Sequence, residues 1–337
     1  MKLNMYKWVD DIIASDKKQA LPVLSFPSVQ KMGVTVKELT ASSDLQAQGI
    51  KLIADSFPKC AAAVSYMDLS LEAEAFGSEI RYSDDEVPTV IGSIVDDEDS
   101  AEELRIPEIG EARTGLNIEA IRKVVPLITD KPVFAGAIGP FSLAGRLMDV
   151  SEAMYYCYDE PDMVHTVLGK VTDFLIAYMK AYKETGCNGV VMAEPLAGLL
   201  SYDLAEEFSA AYVRKIVEAV QDENFLIVYH NCGNSAVATI DTIVSNGCRV
   251  FHFGNAVDMA DIMPHMPANC IALGNVDPAR QFRNGTPESV YAATIEVMEK
   301  CCKYPNYVIS SGCDIPPMTS WDNINSFFKA VDDFYAR

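Results

Sequence analysis

Residues 225–233, with the sequence Phe-Leu-Ile-Val-Tyr-His-Asn-Cys-Gly, predict a buried strand that ends in two potential metal ligands. The first four residues are apolar and include β-branched side chains, which is typical of a strand buried on both faces. His230 and Cys232 stand two positions apart, so their side chains point to the same face of an extended backbone. The end of one strand therefore offers an imidazole and a thiol to a single metal ion.

A third soft ligand follows a second apolar stretch of the chain. Residues 307–312, Tyr-Val-Ile-Ser-Ser-Gly, lead directly to Cys313. If the two strand ends are neighbours, His230, Cys232 and Cys313 form a site with three protein ligands and one open position, which is typical of catalytic zinc. The alternative is that these cysteines are small buried residues without a ligand role, as we expect for most of the nine cysteines.

The composition favours some classes of partner and argues against others. A net charge of −21 over 337 residues argues against nucleic-acid binding, which normally needs a basic face. Nine cysteines without regular spacing indicate a reducing compartment rather than a disulfide framework. The chain begins without the apolar segment of a signal peptide, and no apolar run approaches the roughly 18 residues of a membrane span. We therefore expect a cytoplasmic protein with neither nucleic-acid nor membrane partners.

Strands and helices alternate along most of the chain. The predicted strands cover residues 22–27, 61–67, 133–138, 189–193, 225–229, 249–253, 270–274 and 307–309. The helices predicted between them include one at about 141–157 and one at 234–246. Alternation of this kind predicts right-handed crossovers and a parallel sheet, and eight units predict an α/β fold of the (β/α)8 TIM-barrel type. A doubly wound open sheet is the alternative, but no glycine-rich phosphate loop follows any strand.

We expect the whole chain, residues 1–337, to be a single barrel domain. An N-terminal helical extension precedes the first predicted strand. An inserted excursion of extended chain covers about residues 79–104 and begins with a hairpin. No internal repeat or linker of low complexity suggests a second domain.

Polar residues recur at the carboxyl ends of the predicted strands, where barrels of this type have their active sites. They are Asp68, Glu194 and His252, which we take as candidates for catalysis, and Asn255, Asn275 and Asp277, which we take as candidates for substrate binding. An equally open alternative is that Asn275 and Asp277 only cap the following turn or helix. Glu194 and His252 could likewise support the site rather than act in it.

Several motifs resemble the uroporphyrinogen decarboxylase superfamily over nearly the whole chain. His230-x-Cys232 followed by the single Cys313 resembles the zinc motif of its cobamide-dependent methyltransferase branch, of which the methylcobamide:coenzyme M methyltransferases are members. Further stretches resemble other blocks of the superfamily: residues 68–77 (DLSLEAEAFG), residues 139–145 (GPFSLAG) and residues 274–278 (GNVDP).

This resemblance implies a uroporphyrinogen decarboxylase-like barrel with Zn²⁺ on His230, Cys232 and Cys313. It implies a methyltransferase that moves a methyl group between a corrinoid, as methylcobamide, and a thiol or other small acceptor. A separate corrinoid protein would carry the corrinoid, since the chain has no Asp-x-His-x-x-Gly cobalamin motif. The alternatives are an O-demethylase component that transfers methyl from a methoxylated substrate to Co(I), a uroporphyrinogen decarboxylase, and a metal-binding barrel without catalysis.

The sequence departs from this family pattern at two places. Residues 27–33 contain no arginine, whereas the decarboxylases have an arginine-rich block there that binds substrate carboxylates. We therefore expect no decarboxylase activity, although Asp68 matches the family's aspartate at the barrel mouth. Residues 251–255 lack the glutamate that some zinc members use as an extra ligand, which leaves His252, Glu194 and water as candidates for the fourth ligand.

Overall fold

Parallel strands form the centre of the protein, which a computed structural model describes over residues 3–337. The strands are β1 (Ala63–Val64), β2 (Glu79–Arg81), β3 (Thr89–Ile91), β4 (Val133–Ile138), β5 (Gly189–Ala193), β6 (Leu226–Asn231), β7 (Val250–Phe253), β8 (Ile271–Val276) and β9 (Tyr307–Ser311). Seven of them form one parallel sheet in the order β1-β4-β5-β6-β7-β8-β9. The remaining two, β2 and β3, pair only with each other as an antiparallel hairpin, which confirms the hairpin predicted in this region.

Helices connect successive strands of the sheet. They are α1 (Met5–Ala14), α2 (Ser28–Met32), α3 (Val36–Thr40), α4 (Ser43–Ser56), α5 (Leu71–Phe76), α6 (Glu98–Glu103), α7 (Thr114–Val124), α8 (Pro140–Met148), α9 (Val150–Asp159), α10 (Pro161–Glu184), α11 (Tyr202–Ala205), α12 (Ala211–Val220), α13 (Ile240–Val244), α14 (Met259–Ile262), α15 (Pro287–Cys301) and α16 (Trp321–Ala336). Within residues 3–337, none of these helices has both the length and the apolar character needed to cross a lipid bilayer.

Every residue of the seven sheet strands is buried, because side chains on both faces of the sheet are covered. Alternate residues belong to two different cores. Leu226 and Val228 of β6 pack in an inner core with residues of the other strands, whereas Ile227 and Tyr229 pack in the outer core beneath the helices. His230 continues the inner set, so its side chain points into the interior of the curled sheet.

Helix α1 closes the amino-terminal end of this interior. Its residues Met5 and Val9 are fully buried in the inner core, and Trp8 packs on Phe134 near the start of β4 with ring centroids 5.8 Å apart. Helix α1 therefore covers the amino-terminal end of the interior, opposite the carboxyl ends of the strands.

The predicted first strand, residues 22–27, does not form, so the prediction of eight regular strands was wrong. Leu21 instead donates one backbone hydrogen bond to Ile309 of β9 at 3.1 Å, and Ala20 accepts one from Ala61 at 2.9 Å. Pro22 has no N–H to donate, which prevents a continuous ladder. An irregular segment thus bridges the two edges of a seven-stranded sheet and holds the sheet in a curl.

Two predicted helices also differ from the structure. The helix predicted at 141–157 is divided into α8 and α9 at Asp149, whose φ of 70° interrupts the helix and whose side chain caps α9 through the Ser151 N–H. The helix predicted at 234–246 is reduced to α13. Ser235 in the preceding turn donates both its N–H and its hydroxyl to the Gly198 carbonyl, which fixes a turn in place of a helix.

Candidate metal centre

Three potential metal ligands meet at the carboxyl end of the sheet. His230 is the fifth residue of β6, Cys232 follows that strand, and Cys313 follows β9. One ligand atom from each of the three lies within 4.8 Å of the others. The two strand ends are therefore neighbours in the structure, as predicted.

The geometry of this cluster fits a tetrahedral ion. Zn–S bonds of about 2.3 Å and Zn–N bonds of about 2.0–2.1 Å place sulfur and nitrogen about 3.6 Å apart at a tetrahedral angle. Nε2 of His230 lies 3.5 Å from Sγ of Cys313. His230 is only 4% exposed, and its Nδ1 has no hydrogen-bond partner within residues 3–337. A buried imidazole with so few protein contacts leaves its donor atoms available to a ligand.

The two thiols interact directly. Hydrogen bonding from Cys313 lowers the pKa of Cys232, while the same interaction, together with burial, raises the pKa of Cys313 to about 12. Cysteine binds metals as the thiolate, so Cys232 is already biased towards the ligating form.

Close packing by two glycines brings the cysteines together. A Cβ atom added at Gly254 would lie 2.4 Å from Cβ of Cys232, and one added at Gly312 would lie 2.7 Å from Oδ1 of Asn255. Neither separation is compatible with a side chain. The loops after β6, β7 and β9 can pack against one another only because these two residues have none.

Two residues predicted to bind substrate hold this loop packing. The side-chain amide of Asn275 donates to the carbonyls of Gly254 at 2.9 Å and Val257 at 2.8 Å. These bonds fix the loop that packs on Cys232. Asn255 is exposed and lies against Gly312. Substrate binding by either residue stays a prediction.

His252 is fully buried beside the cluster but outside it. Its ring centroid lies 4.6 Å from that of His230, and its Nε2 donates to the Ser311 carbonyl at 2.7 Å. Burial, together with the neighbouring His230, holds the pKa of His252 well below its usual range, so the ring is neutral. Through these contacts, His252 supports His230 and β9. Its catalytic role stays a prediction.

Glu194 points away from the metal cluster. Its position directly after β5 continues the alternate set of Val190 and Met192, which face the outer core. Its carboxylate accepts hydrogen bonds from the N–H groups of Phe141 at 2.7 Å and Ser142 at 3.1 Å, in the first turn of α8. Burial raises the pKa of Glu194 to about 7. Its contacts are those of a helix cap, and catalysis by Glu194 stays a prediction.

Asp68 and Asp277 are also held by protein partners. Asp68 forms a buried ion pair with Arg113 and accepts hydrogen bonds from the N–H and hydroxyl of Ser70 at 3.0 and 2.6 Å. Asp277 accepts from the N–H groups of Ala279 and Arg280 at 2.8 and 2.7 Å, as the capping alternative predicted. The structure therefore brings His230, Cys232 and Cys313 together and leaves the other six candidates outside the cluster.

A cavity of about 510 Å³ at the carboxyl ends of the strands was not predicted. It contains Arg146, Arg283 and Asp314, and Asp314 is the residue immediately after Cys313. The sequence carried a signal for both Asp314 and Arg146. Asp314 adjoins a predicted ligand, and Arg146 directly follows the Gly-Pro-Phe block of residues 139–145.

The fold and the cluster define a parallel α/β protein with a His-Cys-Cys site at the carboxyl ends of its strands. Residues 16–334 match the family "Uroporphyrinogen decarboxylase (URO-D)". The chain therefore belongs to this family, and the resemblance predicted from the sequence motifs is confirmed.

Relatives within the family include both methyltransferases and decarboxylases. The methylcobamide:CoM methyltransferase MtbA of Methanosarcina acetivorans is 30% identical over 278 residues, which cover 79% of this chain and 78% of the relative. The uroporphyrinogen decarboxylase of Coxiella burnetii is 25% identical over 285 residues, covering 81% and 77%. A solved methyltransferase from Methanosarcina mazei has the same fold, with a TM-score of 0.85, 22% identity and 99% of each chain covered.

Proposed function

We propose that this protein is a zinc-dependent methyltransferase that moves a methyl group between a corrinoid and a small thiol. The observation that carries the proposal is the cluster of His230, Cys232 and Cys313, whose ligand atoms lie within 4.8 Å of one another. The similarity to a methylcobamide:CoM methyltransferase supports it, because that name describes methyl transfer from a corrinoid to a thiol.

His230, Cys232 and Cys313 would hold the zinc ion and leave one position for a substrate. Bound zinc supplies a Lewis acid that lowers the pKa of a coordinated thiol at neutral pH. The protein contributes an interior covered by α1 at one end, so reactants would approach the cluster from the carboxyl ends of the strands. A corrinoid is larger than the neighbouring cavity, so a separate corrinoid protein would present it at this open end.

The reaction balances without a further reactant. The sulfur of the acceptor thiol forms a bond to the methyl carbon as the cobalt–carbon bond breaks. The electron pair of that bond stays on cobalt, which passes from Co(III) to Co(I), and the thiol proton is released to solvent. The reaction requires neither a second metal ion in this chain nor a redox-active group that resides in it.

Decarboxylation of uroporphyrinogen is the competing function within the family. Residues 27–33, which overlap α2, contain no arginine. The side-chain amide of Gln30, in this segment, donates hydrogen bonds to the carbonyls of Pro317 and Thr319, both at 2.7 Å. A substrate with many carboxylates needs several cations, and this segment supplies only Lys31. The soft ligands of the cluster, in turn, serve no purpose in a reaction of that type.

The proposal is tested by visible spectroscopy, since methyl-Co(III) and Co(I) corrinoids absorb differently. Zinc-loaded protein is mixed with methylcobalamin and a panel of thiols, with the Cys313→Ala variant and the half-buried, distant Cys302→Ala variant as a matched pair. We expect demethylation with wild type and Cys302→Ala and none above background with Cys313→Ala. Formation of coproporphyrinogen from uroporphyrinogen would overturn the proposal. Methylation of Co(I) corrinoid by methoxylated aromatics, without thiol methylation, would replace it by an O-demethylase component.

A further inference from the structure

Large apolar side chains are exposed together in two segments of the chain. Tyr158, Tyr155 and Leu199 are the three most exposed large apolar side chains among residues 3–337, at 69%, 64% and 55%. Tyr202 is exposed as well. The two tyrosines of α9 are three positions apart and therefore share one helix face, whereas Leu199 and Tyr202 lie between β5 and α12. We call these four side chains the apolar patch.

The two segments that carry the apolar patch are neighbours in the fold. Helix α8 packs against both α9 and residues 195–199. A Cβ atom added at Gly145 of α8 would meet Cδ1 of Leu196 at 2.5 Å and Cβ of Ala153 at 3.8 Å. The four side chains therefore belong to one surface, and a single partner can cover them. Isolated exposed apolar residues are common, but several together indicate an interaction site.

The apolar patch lies at the end of the sheet that holds the metal cluster. Leu199 directly follows Gly198, and a Cβ atom added at Gly198 would lie only 2.8 Å from the backbone nitrogen of Gly233. Gly233 is the residue after the ligand Cys232. Ser235 of the same loop donates its N–H and its hydroxyl to the Gly198 carbonyl, at 3.2 and 2.7 Å. A partner on the patch is therefore beside the loop that follows a metal ligand.

Only acidic charges surround the apolar patch. Residues 149–162 and 196–207 contain five and three acidic residues and no lysine or arginine, whereas the whole chain has 48 acidic and 27 basic residues. Only two of these eight carboxylates have a basic partner among residues 3–337, namely Glu206 and Glu207. Carboxylates without a partner around an apolar centre attract a positively charged face and repel a negative one.

An acidic groove adjoins α9. It has a volume of about 480 Å³ and is lined by residues 96–99, Tyr156, Glu160 and Met163. The Tyr156 hydroxyl donates to the Asp96 carbonyl at 3.3 Å, which holds the acidic segment against the helix. Five carboxylates and no cation line this groove. It suits a lysine or arginine side chain of a partner, whose aliphatic stem contacts Tyr156 and Met163 while its charge meets the carboxylates.

We propose that the apolar patch and the acidic groove are the docking surface for the protein that carries the corrinoid, and that the docking face of that protein has lysine or arginine side chains around an apolar centre. This inference rests on the proposed function and assigns its partner a surface. Tyrosine suits such an interface because it buries a large area and has few torsions to fix. A second copy of this chain would present the same acidic face, so like charges oppose self-association there.

Binding is measured by biolayer interferometry on zinc-loaded protein, independently of methyl transfer. The probes are the corrinoid proteins with an Asp-x-His-x-x-Gly motif encoded in the same genome, each loaded with methylcobalamin. The variants of the apolar patch are Tyr155→Ser/Tyr158→Ser and Leu199→Ser. Leu127→Ser is the matched control, because Leu127 is 54% exposed but lies before β4, at the amino-terminal end of the sheet.

The charges are tested separately from the apolar patch. Asp159→Asn/Glu160→Gln removes two carboxylates beside Tyr158. Glu184→Gln/Glu218→Gln is the matched control, because both residues are exposed on helices that lead into the amino-terminal ends of β5 and β6.

We expect at least one corrinoid protein to bind wild type, with an affinity that falls as NaCl rises from about 50 to about 300 mM. Tyr155→Ser/Tyr158→Ser should weaken binding about tenfold or more, as loss of aromatic anchors does, and Leu199→Ser should weaken it less. Asp159→Asn/Glu160→Gln should weaken it about three- to tenfold and reduce the salt dependence. Both controls should stay within about twofold of wild type. In the tyrosine and charge variants, the ratio of thiol methylation from protein-bound to free methylcobalamin should fall.

Binding of no corrinoid protein, or equal binding by the patch variants and their controls, would overturn the inference. Circular dichroism checks each fold, and if the tyrosine variant does not fold, Leu199→Ser and the charge variant decide the question. A dimer of wild type in size-exclusion chromatography that Tyr155→Ser/Tyr158→Ser dissociates would also overturn it, in favour of a second copy. The proposed function fails separately, when no thiol is methylated from free methylcobalamin, which needs no docking.

Discussion

Two polar clusters at the carboxyl end of the sheet differ in whether the protein satisfies them. In the first, which we call the carboxylate cluster, Arg113 pairs with Asp68 and with Glu74, and Ser70 completes the contacts of Asp68. In the second, the metal cluster, the ligand atoms of His230, Cys232 and Cys313 contact mainly one another.

The difference separates a structural site from a site that binds a ligand. Every charge of the carboxylate cluster has a partner of opposite sign, so its members stabilise the fold and have little capacity for another molecule. In the metal cluster, Nδ1 of His230 has no partner among residues 3–337, and the pKa of Cys232 is lowered while that of Cys313 is raised. Buried polar atoms that lack protein partners are the ones that a metal ion or substrate can satisfy.

The largest expected effect is loss of the metal from the metal cluster. Cys232→Ala and Cys313→Ala should reduce zinc from about one ion per chain to near zero, since two protein ligands do not hold a catalytic zinc. Elemental analysis after dialysis measures the zinc, and circular dichroism checks the fold. Cys302→Ala is the control and should retain its zinc. Full zinc content in both ligand variants would remove the distinction between the two clusters.

The next largest effect falls on the carboxylate cluster and on stability alone. Arg113→Met should lower the free energy of unfolding by about 3–5 kcal/mol, because Asp68 and Glu74 keep their charges without a cation. The control, Arg122→Met, breaks an exposed pair with Glu119 and should cost about 0–1 kcal/mol. Urea denaturation gives both values. Zinc loss in Arg113→Met would show that the clusters are coupled.

The pH dependence of the free energy of unfolding sharpens the comparison at Glu72, which adjoins the carboxylate cluster. Burial raises the pKa of Glu72 to about 7, and the nearby Asp68 and Arg113 act on it in opposite directions. Between about pH 4.5 and 7 the folded protein keeps a proton that the unfolded chain releases, so stability falls as pH rises. Glu72→Gln should remove this part of the slope, on the order of 3 kcal/mol at pH 8. Parallel stability curves for Glu72→Gln and the exposed-site control Glu79→Gln would contradict this account.

The smallest expected effect concerns loop packing at the metal cluster. Gly254→Ala places a methyl group 2.4 Å from Cβ of Cys232, which should cost about 1–3 kcal/mol of stability. Zinc affinity should fall about 10–100-fold as Cys232 shifts. Gly169→Ala in α10 is the control, since its added methyl group meets no atom within 4 Å. Competition with a chelator measures the affinity, and equal values for the two variants would refute the packing argument.

The sequence predicted the parts that depend on local periodicity. The two-residue spacing of His230 and Cys232 placed both side chains on one face of β6, and the alternation of strands and helices predicted a parallel sheet. Because side chains alternate between the two faces of a strand, the sequence also contained the information that Glu194 shares the outer face with Val190 and Met192. The structure has Glu194 on that face.

The remaining features depend on contacts between distant segments. The irregular bridge at residues 20–25 arises from the missing N–H of Pro22 and from bonds to β9 and to the chain before β1. The need for glycine at position 254 follows only from the approach of Cys232. The approach of Arg146 and Arg283 to one cavity could be recognised only once distant segments had positions.

The β2–β3 hairpin has a consequence for how this protein family can diversify. Its strands pair only with each other, and residues 85–90, at the end of its loop and the start of β3, line the cavity, while the metal ligands lie at the ends of β6 and β9. Under the proposed function, the segment that lines the cavity and the segments that hold the metal are therefore separate parts of the chain. Mutations that lengthen, shorten or recharge the hairpin loop can change which molecules enter without displacing a ligand. Exchange of this segment between relatives would therefore test whether it selects the substrate.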